Sequence, residues 1–364
     1  MLPLKKHYDQ LYGWVNDRVD VDGIISFLKH KEVPASSASI WYYFGGVSLF
    51  LFMVQAVTGI LLLVYYRPGP DSSFESLKFL VSEVHFGWLV RDIHSWSANL
   101  MVFCVFVHMF SVFFLKSYRN PREMTWMSGM VLLILTFTFG FSGYLLPWNE
   151  LAFFATKVGT DMAGSVPVIG DFMLTLVRGG SDVTGATLGR FFGLHVAILP
   201  GITTMVLALH LFLLQRQGMS KPMSMENLPP DQQKVMPFLP NFVLREFMFW
   251  MFALAVINFL AVFFPWELGS KADAFAPAPA GIKPEWYFMF MFQTLKMLPA
   301  HIGPIEGELV GLAVFNLGAL AWFFLPLWDK WSGTGSPKAG LITLMGIAIV
   351  GFIVIMTAVG YAVS

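Results

Sequence analysis

Four histidines stand inside otherwise uncharged apolar stretches, in two pairs. His94 and His108 are 14 residues apart, His195 and His210 are 15 apart. On an α-helix rising about 1.5 Å per residue, each pair is separated by roughly 21–22 Å along the axis, and four turns return the second histidine to nearly the same face. Two such helices side by side present two His–His couples, one toward each face of a membrane. A single imidazole in lipid is readily a hydrogen-bonding strut between helices, but four at matched spacing all need partners. Iron supplies them. The pattern fits bis-histidine ligation of two haems stacked across a bilayer, His94 with His195 for the outer one and His108 with His210 for the inner. Electron transfer is the chemistry that follows.

Other residues fall into step with the histidines. Gly45 and Gly59 are 14 apart, as are Gly129 and Gly143. Small residues are common where membrane helices touch, yet the repeat of the histidine spacing points to glycines that make room for two macrocycles. Arg91 and Arg190, at the outer ends of the histidine stretches, are candidates for the outer haem's propionates, and Lys116 and Arg119 for the inner haem's. Snorkelling at the interface is the ordinary alternative for all four. Pro284-Glu285-Trp286-Tyr287 reads locally as a helix start, with proline in the first turn and an acid favoured by the helix dipole.

The elements that must position these groups are membrane helices. Of 364 residues, 56% are hydrophobic and only 13% charged, with a mean hydropathy of +0.64. Soluble domains carry about 25% charged residues. The net charge of zero gives no sign of a nucleic-acid partner. The single cysteine, Cys104, leaves no motif for covalent haem and no thiolates for an iron–sulfur cluster, so haem must be held without a thioether link. The first twenty residues are mixed and polar, without an apolar signal-peptide core.

Uncharged stretches long enough to span run from Ile40 to Tyr66, Ile93 to Leu115, Met124 to Asn149, Phe191 to Gln215, Phe247 to Trp266, Leu309 to Trp328 and Ala339 to Ser364. The fold expected is an all-α integral membrane protein of seven transmembrane helices, a four-helix dihaem bundle plus a three-helix C-terminal part. Trp286 to Leu295 is too short to span and reads as an interfacial or re-entrant helix. With the N-terminus inside, inner segments hold 14 Lys and Arg and outer loops 9, which sets that orientation. The proline-rich stretch 219–241 is an inner linker between a dihaem domain, 1–218, and a second domain, 242–364.

The chain resembles cytochrome b of the quinol-oxidising complexes, the bc1 and b6f families, over nearly its whole length. The resemblance rests on the four histidines, the two glycine pairs, GYLLPW (143–148), TLGRFFGLH (187–195) and PEWYF (284–288). The 15-residue histidine gap, NPREMTW (120–126) and a three-helix second half lean toward the b6f branch. There the halves are usually two polypeptides, cytochrome b6 and subunit IV, and this chain looks like the two fused. Two departures stand out. Tyr43 occupies the position of the cysteine that holds an extra covalent haem in the b6f family, and Gln215 the position of an inner-site histidine or arginine.

The resemblance implies two non-covalent b-type haems, with quinol and quinone as substrates. Quinol would be oxidised at an outer site by Glu285, a carboxylate whose apolar pocket raises its pKa and suits it to accept a proton, with Tyr287 and Tyr144 positioning the quinol. Quinone would be reduced at an inner site served by Arg216 and an acid among Asp17, Asp20 and Asp22. Implied partners are a Rieske-type iron–sulfur protein, a c-type cytochrome or equivalent acceptor, and a second copy in a homodimer. The expected location is a bacterial cytoplasmic membrane. Two other readings compete: a dihaem anchor of a dehydrogenase, which would lack an outer quinol-oxidising site, and a proton-coupled transporter, which would bind no haem.

Overall fold

The computed structural model describes residues 2–166, 168–226, 228–332 and 338–363. It is a helical protein in which six helices are long and apolar enough to cross a membrane. Two N-terminal helices, α1 (Leu2–Val19) and α2 (Val21–His30), precede the first span, α3 (Tyr43–Leu63). After α4 (Ser73–Ser82) come the spans α5 (Gly87–Phe114) and α6 (Glu123–Leu145). Helices α7 (Glu150–Gly164) and α8 (Gly170–Arg178) fold the next connection. The fourth span joins α9 (Gly185–Gly193) through a π turn to α10 (Leu199–Gln217), and α11 (Met223–Glu226) follows. The second half holds α12 (Val243–Phe263), the short α13 (Trp286–Met297), α14 (Gly307–Phe323), α15 (Leu325–Trp328) and α16 (Ala339–Ala362).

The apolar stretches forecast the spans, and the differences have local causes. Helix α5 begins six residues before Ile93 because Arg91 and Asp92 are buried rather than in a loop. They pair at 3.4 Å, and Arg91 donates to the Trp266 carbonyl at 2.6 Å. The π turn at Leu194–Ile198 precedes Pro200, which lacks an N–H and crowds the carbonyl four residues back. There the Leu199 N–H reaches the Leu194 carbonyl, five residues away. The stretch from Leu309 to Trp328 is broken at Phe324, just before Pro326, so α14 has 17 residues and is shorter than the six long spans. The last forecast span ends at Ala362; its final residue, Ser364, lies outside the described residues.

Helix α3 packs on α5, α6 on α10, and α12 across α5 and α3, while α13 lies against α16 and α14. Between these helices side chains interlock in buried clusters, one around Val47, Leu51, Met101, Cys104 and Ile257. Cys104 is therefore a core residue. In lipid such packing, rather than apolar burial, holds helices together. The proline-rich stretch 219–241 is not a free tether. Its strand β2 (Val235–Pro237) pairs antiparallel with β1 (Glu32–Pro34) in the N-terminal segment, Val33 opposite Met236. The Tyr42 hydroxyl donates to the Ser220 carbonyl at 2.7 Å.

Candidate redox and quinol sites

The four histidines come from two helix pairs, and a glycine of the neighbouring helix faces each ring. On α3, a Cβ added at Gly45 would lie 2.9 Å from His108 Cε1, and one at Gly59 would lie 3.4 Å from His94 Cε1. On α6, a Cβ at Gly129 would lie 3.3 Å from His210 Cε1, and one at Gly143 only 2.6 Å from His195 Cε1. The glycines thus make room for the imidazoles themselves. Glycines 14 apart meet histidines 15 apart on the fourth span because its π turn takes up the extra residue.

Hydroxyls orient three of the rings. Thr58 Oγ1 lies 2.9 Å from His94 Nδ1, Ser128 Oγ 2.9 Å from His210 Nδ1, and Ser142 Oγ 3.0 Å from His195 Nδ1. Each hydroxyl belongs to the residue just before the facing glycine, a hydroxyl–glycine dipeptide that was open to view in the sequence. With Nδ1 engaged, Nε2 is the nitrogen left to bind a metal. No cluster of three or more metal-ligating side chains exists among the described residues. A metal held here would therefore need ligands of its own, as macrocyclic iron has, and a pair of glycine-backed imidazoles fits haem.

The forecast cations sit on protein partners. Arg91 bonds the Trp266 carbonyl as above, and Arg190 donates to the Thr175 and Leu176 carbonyls at 2.6 and 2.8 Å, capping the end of α8. Arg119 pairs with Glu226 at 2.9 Å. Lys116 is buried, with its Nζ 4.5 Å from the centre of the Phe113 ring and no hydrogen-bond partner among the described residues. Burial holds its amine below the usual lysine range.

Glu285 stands just before α13, partly buried and without a side-chain capping bond, and burial pushes its carboxyl above the usual range. Tyr287 follows two residues on, and Tyr144 is partly buried near the end of α6. Lys283, two residues before Glu285, holds its Nζ 5.8 Å from the ring centre of Tyr361 near the end of α16, which the sequence did not single out. The Tyr287 hydroxyl lies over Gly140, where a Cβ would come within 2.4 Å of it. Trp286 donates its indole N–H to Asn99 Oδ1 on α5 at 2.9 Å. Trp286 and Tyr287 line an apolar cavity of about 460 Å³ together with Phe103, Phe106, Phe110 and Val354.

At the other end of α3, the carboxylate of Glu246 on α12 fills the space over Gly46, beside the glycine that receives His108, and accepts from Trp250 Nε1 at 3.0 Å. It lies one residue before the forecast span, and an acid at the edge of an apolar run was the signal for it. Tyr43 is stacked between Phe242 and Phe249, at 4.9 and 4.7 Å. Lys31 donates to Gln215. Asp22 accepts from Tyr12 and Asn16, and Asp20 caps α2, so both are committed to the surface helices.

Comparison with known proteins bears on this geometry. Residues 29–218 match the family model described as Cytochrome b/b6/petB, and 271–364 the model described as Cytochrome b(C-terminal)/b6/petD. A relative described as cytochrome bc complex cytochrome b subunit, from Chlorobaculum thiosulfatiphilum, is 47% identical over 357 residues, 97% of this chain and 81% of its own length. A cytochrome b6 from Crocosphaera subtropica is 38% identical over 214 residues, 59% of this chain and 96% of its own. A solved structure described as hyperthermophilic respiratory Complex III aligns with a TM-score of 0.84 at 30% identity, over 96% of this chain and 91% of its own.

Proposed function

The chain belongs to the cytochrome b/b6 family, an integral, multi-pass membrane protein, and from that premise we propose that it is the cytochrome b subunit of a quinol-oxidising complex. The observation that carries the reading is the set of glycine-backed histidines, three with Nδ1 hydrogen-bonded and all on membrane helices. His94 with His195 and His108 with His210 would hold two b-type haems. Bound there, the haems supply two one-electron centres, one toward each face, linking an outer quinol site to an inner quinone site.

The remaining chemistry belongs to the chain. The cavity against Trp286 and Tyr287 takes the apolar body of a quinol. Glu285, its pKa raised by burial, accepts a quinol proton as general base and releases it outward. Tyr144 and Tyr287 position the hydroxyls. One of the two quinol electrons leaves to a separate Rieske-type iron–sulfur protein and then a c-type cytochrome or equivalent; Cys104 alone cannot hold a cluster in this chain. At the inner site, Glu246 and the Lys31–Gln215 pair supply polar contacts and protons for quinone. Arg91, Arg190, Lys116 and Arg119 remain the cations for propionates, Lys116 best placed because its buried amine has no hydrogen-bond partner among the described residues.

The same reading takes α14 as a seventh, shorter span, with residues 1–218 and 242–364 as two functional parts. The N-terminus lies inside a bacterial cytoplasmic membrane, and the complex is a dimer. The dihaem-anchor alternative is tested with Glu285→Gln in the assembled complex. Loss of quinol oxidation with both haems retained supports an outer quinol site; unchanged turnover overturns it.

A further inference from the structure

Three of the four histidines share a local device that the fourth lacks. The residue before each facing glycine is Thr58, Ser128 or Ser142, and its hydroxyl meets Nδ1 at 2.9–3.0 Å. Before Gly45 stands Phe44, and His108 Nδ1 is buried with no hydrogen-bond partner among the described residues. Phe44 stacks on Trp41 at 5.8 Å and packs against the cluster of Val47 and Leu51. Hydrocarbon therefore stands where the other three rings find an oxygen. The hydroxyl of Ser111, on the same helix as His108, is spent on the His108 carbonyl at 2.7 Å.

An acceptor on Nδ1–H makes the opposite nitrogen a stronger donor to a metal. A stronger donor favours ferric over ferrous iron and lowers the reduction potential, one of the protein's levers on haem. The His94–His195 pair has two acceptors and the His108–His210 pair has one. We propose that Phe44, by denying His108 an acceptor, raises the potential of the haem held by His108 and His210, so that electrons run toward it from the His94–His195 pair. The transfer is one electron, one centre oxidised as the other is reduced, with no bond made or broken and no proton moved. The proposal rests on the reading that these four histidines ligate two haems.

The test is a potentiometric titration of the haem absorbance in purified full-length protein. Phe44→Ser places a hydroxyl where the other three sites have one, and Phe44→Ala removes the ring without adding it. Relative to Phe44→Ala, Phe44→Ser should shift the oxidised-to-reduced ratio of the higher-potential haem about tenfold toward oxidised, ~59 mV for a one-electron couple, and leave the other haem unmoved. Thr58→Ala should raise the lower-potential haem by a similar factor, and it decides the matter if Phe44→Ser does not fold. A Phe44→Ser protein that titrates like Phe44→Ala, or a Thr58→Ala protein with the lower midpoint unmoved, overturns the proposal. A wild-type chain that holds fewer than two haems overturns the ligation reading itself.

Discussion

The four glycines offer a graded test, because the room they leave is not equal. A Cβ at Gly143 would lie 2.6 Å from His195 Cε1, 3.2 Å from Nδ1 and 3.3 Å from Nε2. The Gly143→Ala ring must retreat by about 0.8 Å to reach ordinary contact at 3.4 Å, and it is held by the 3.0 Å bond to Ser142 on the same turn. Overpacking of this kind costs about 1–3 kcal/mol, a loss of roughly 5- to 150-fold in affinity for what the ring binds. Gly45→Ala, at 2.9 Å, should fall next. At Gly59 the same methyl meets His94 at 3.4 Å, an ordinary contact, and alanine gains up to about 1 kcal/mol of helix propensity over glycine. The assay is haem stoichiometry per chain by pyridine haemochrome, with a redox titration to show which haem is lost. Gly143→Ala should lose the His94–His195 haem first, while Gly59→Ala keeps both. Equal damage from Gly59→Ala and Gly143→Ala, or full haem with native midpoints in Gly143→Ala, would refute the idea that these glycines cradle the ligands.

Further outcomes follow from other contacts. Because burial raises the Glu285 pKa, a role as base requires that quinol oxidation decline on the acid side around a pH above the usual carboxylate range, near 4.3. A pH profile with its acid limb at the unperturbed value would contradict this. Burial disfavours the charged form, so the folded wild type should lose stability as pH rises from the unfolded pKa through the raised folded one, and Glu285→Gln should not. Asn99→Leu and Trp286→Phe each remove one side of a 2.9 Å bond between α5 and α13, and a double-mutant cycle on thermal stability should show coupling of about 0.6–1.7 kcal/mol. Strict additivity would mean the bond contributes nothing. Arg178 is buried and donates to Thr160, the Lys157 and Ser181 carbonyls and Asp161, at 2.6–2.9 Å. Arg178→Met should destabilise the α7–α8 connection by about 2–4 kcal/mol, seen as faster proteolysis between residues 150 and 190. Cleavage at the wild-type rate would show that the guanidinium is dispensable.

The histidine pairs and glycine repeats were legible because membrane helices turn sequence spacing directly into depth and face. The π turn was not, since it arises from a single proline acting on the backbone, yet it reconciles the 14- and 15-residue gaps. The forecast span began at Ile93, after two charged residues, but Arg91 and Asp92 pair with each other and lie buried inside α5. The sequence did not show that the Arg190 guanidinium also caps the end of α8. Glu246 and Tyr361 reach their places only through the packing of α12 on α3 and of α16 on α13. No local pattern encodes such contacts, whereas the hydroxyl–glycine dipeptides were in plain view and needed only the facing histidine to give them meaning.

The most direct measurement is the haem content and redox titration of the purified chain, beside His94→Ala and His108→Ala. Two non-covalent b-type haems per chain are predicted, titrating in two steps, with His94→Ala removing the lower-potential step and His108→Ala the higher. A well-folded chain without haem, or one whose haems survive both substitutions, would contradict the assignment of these four histidines and with it the electron-transfer function.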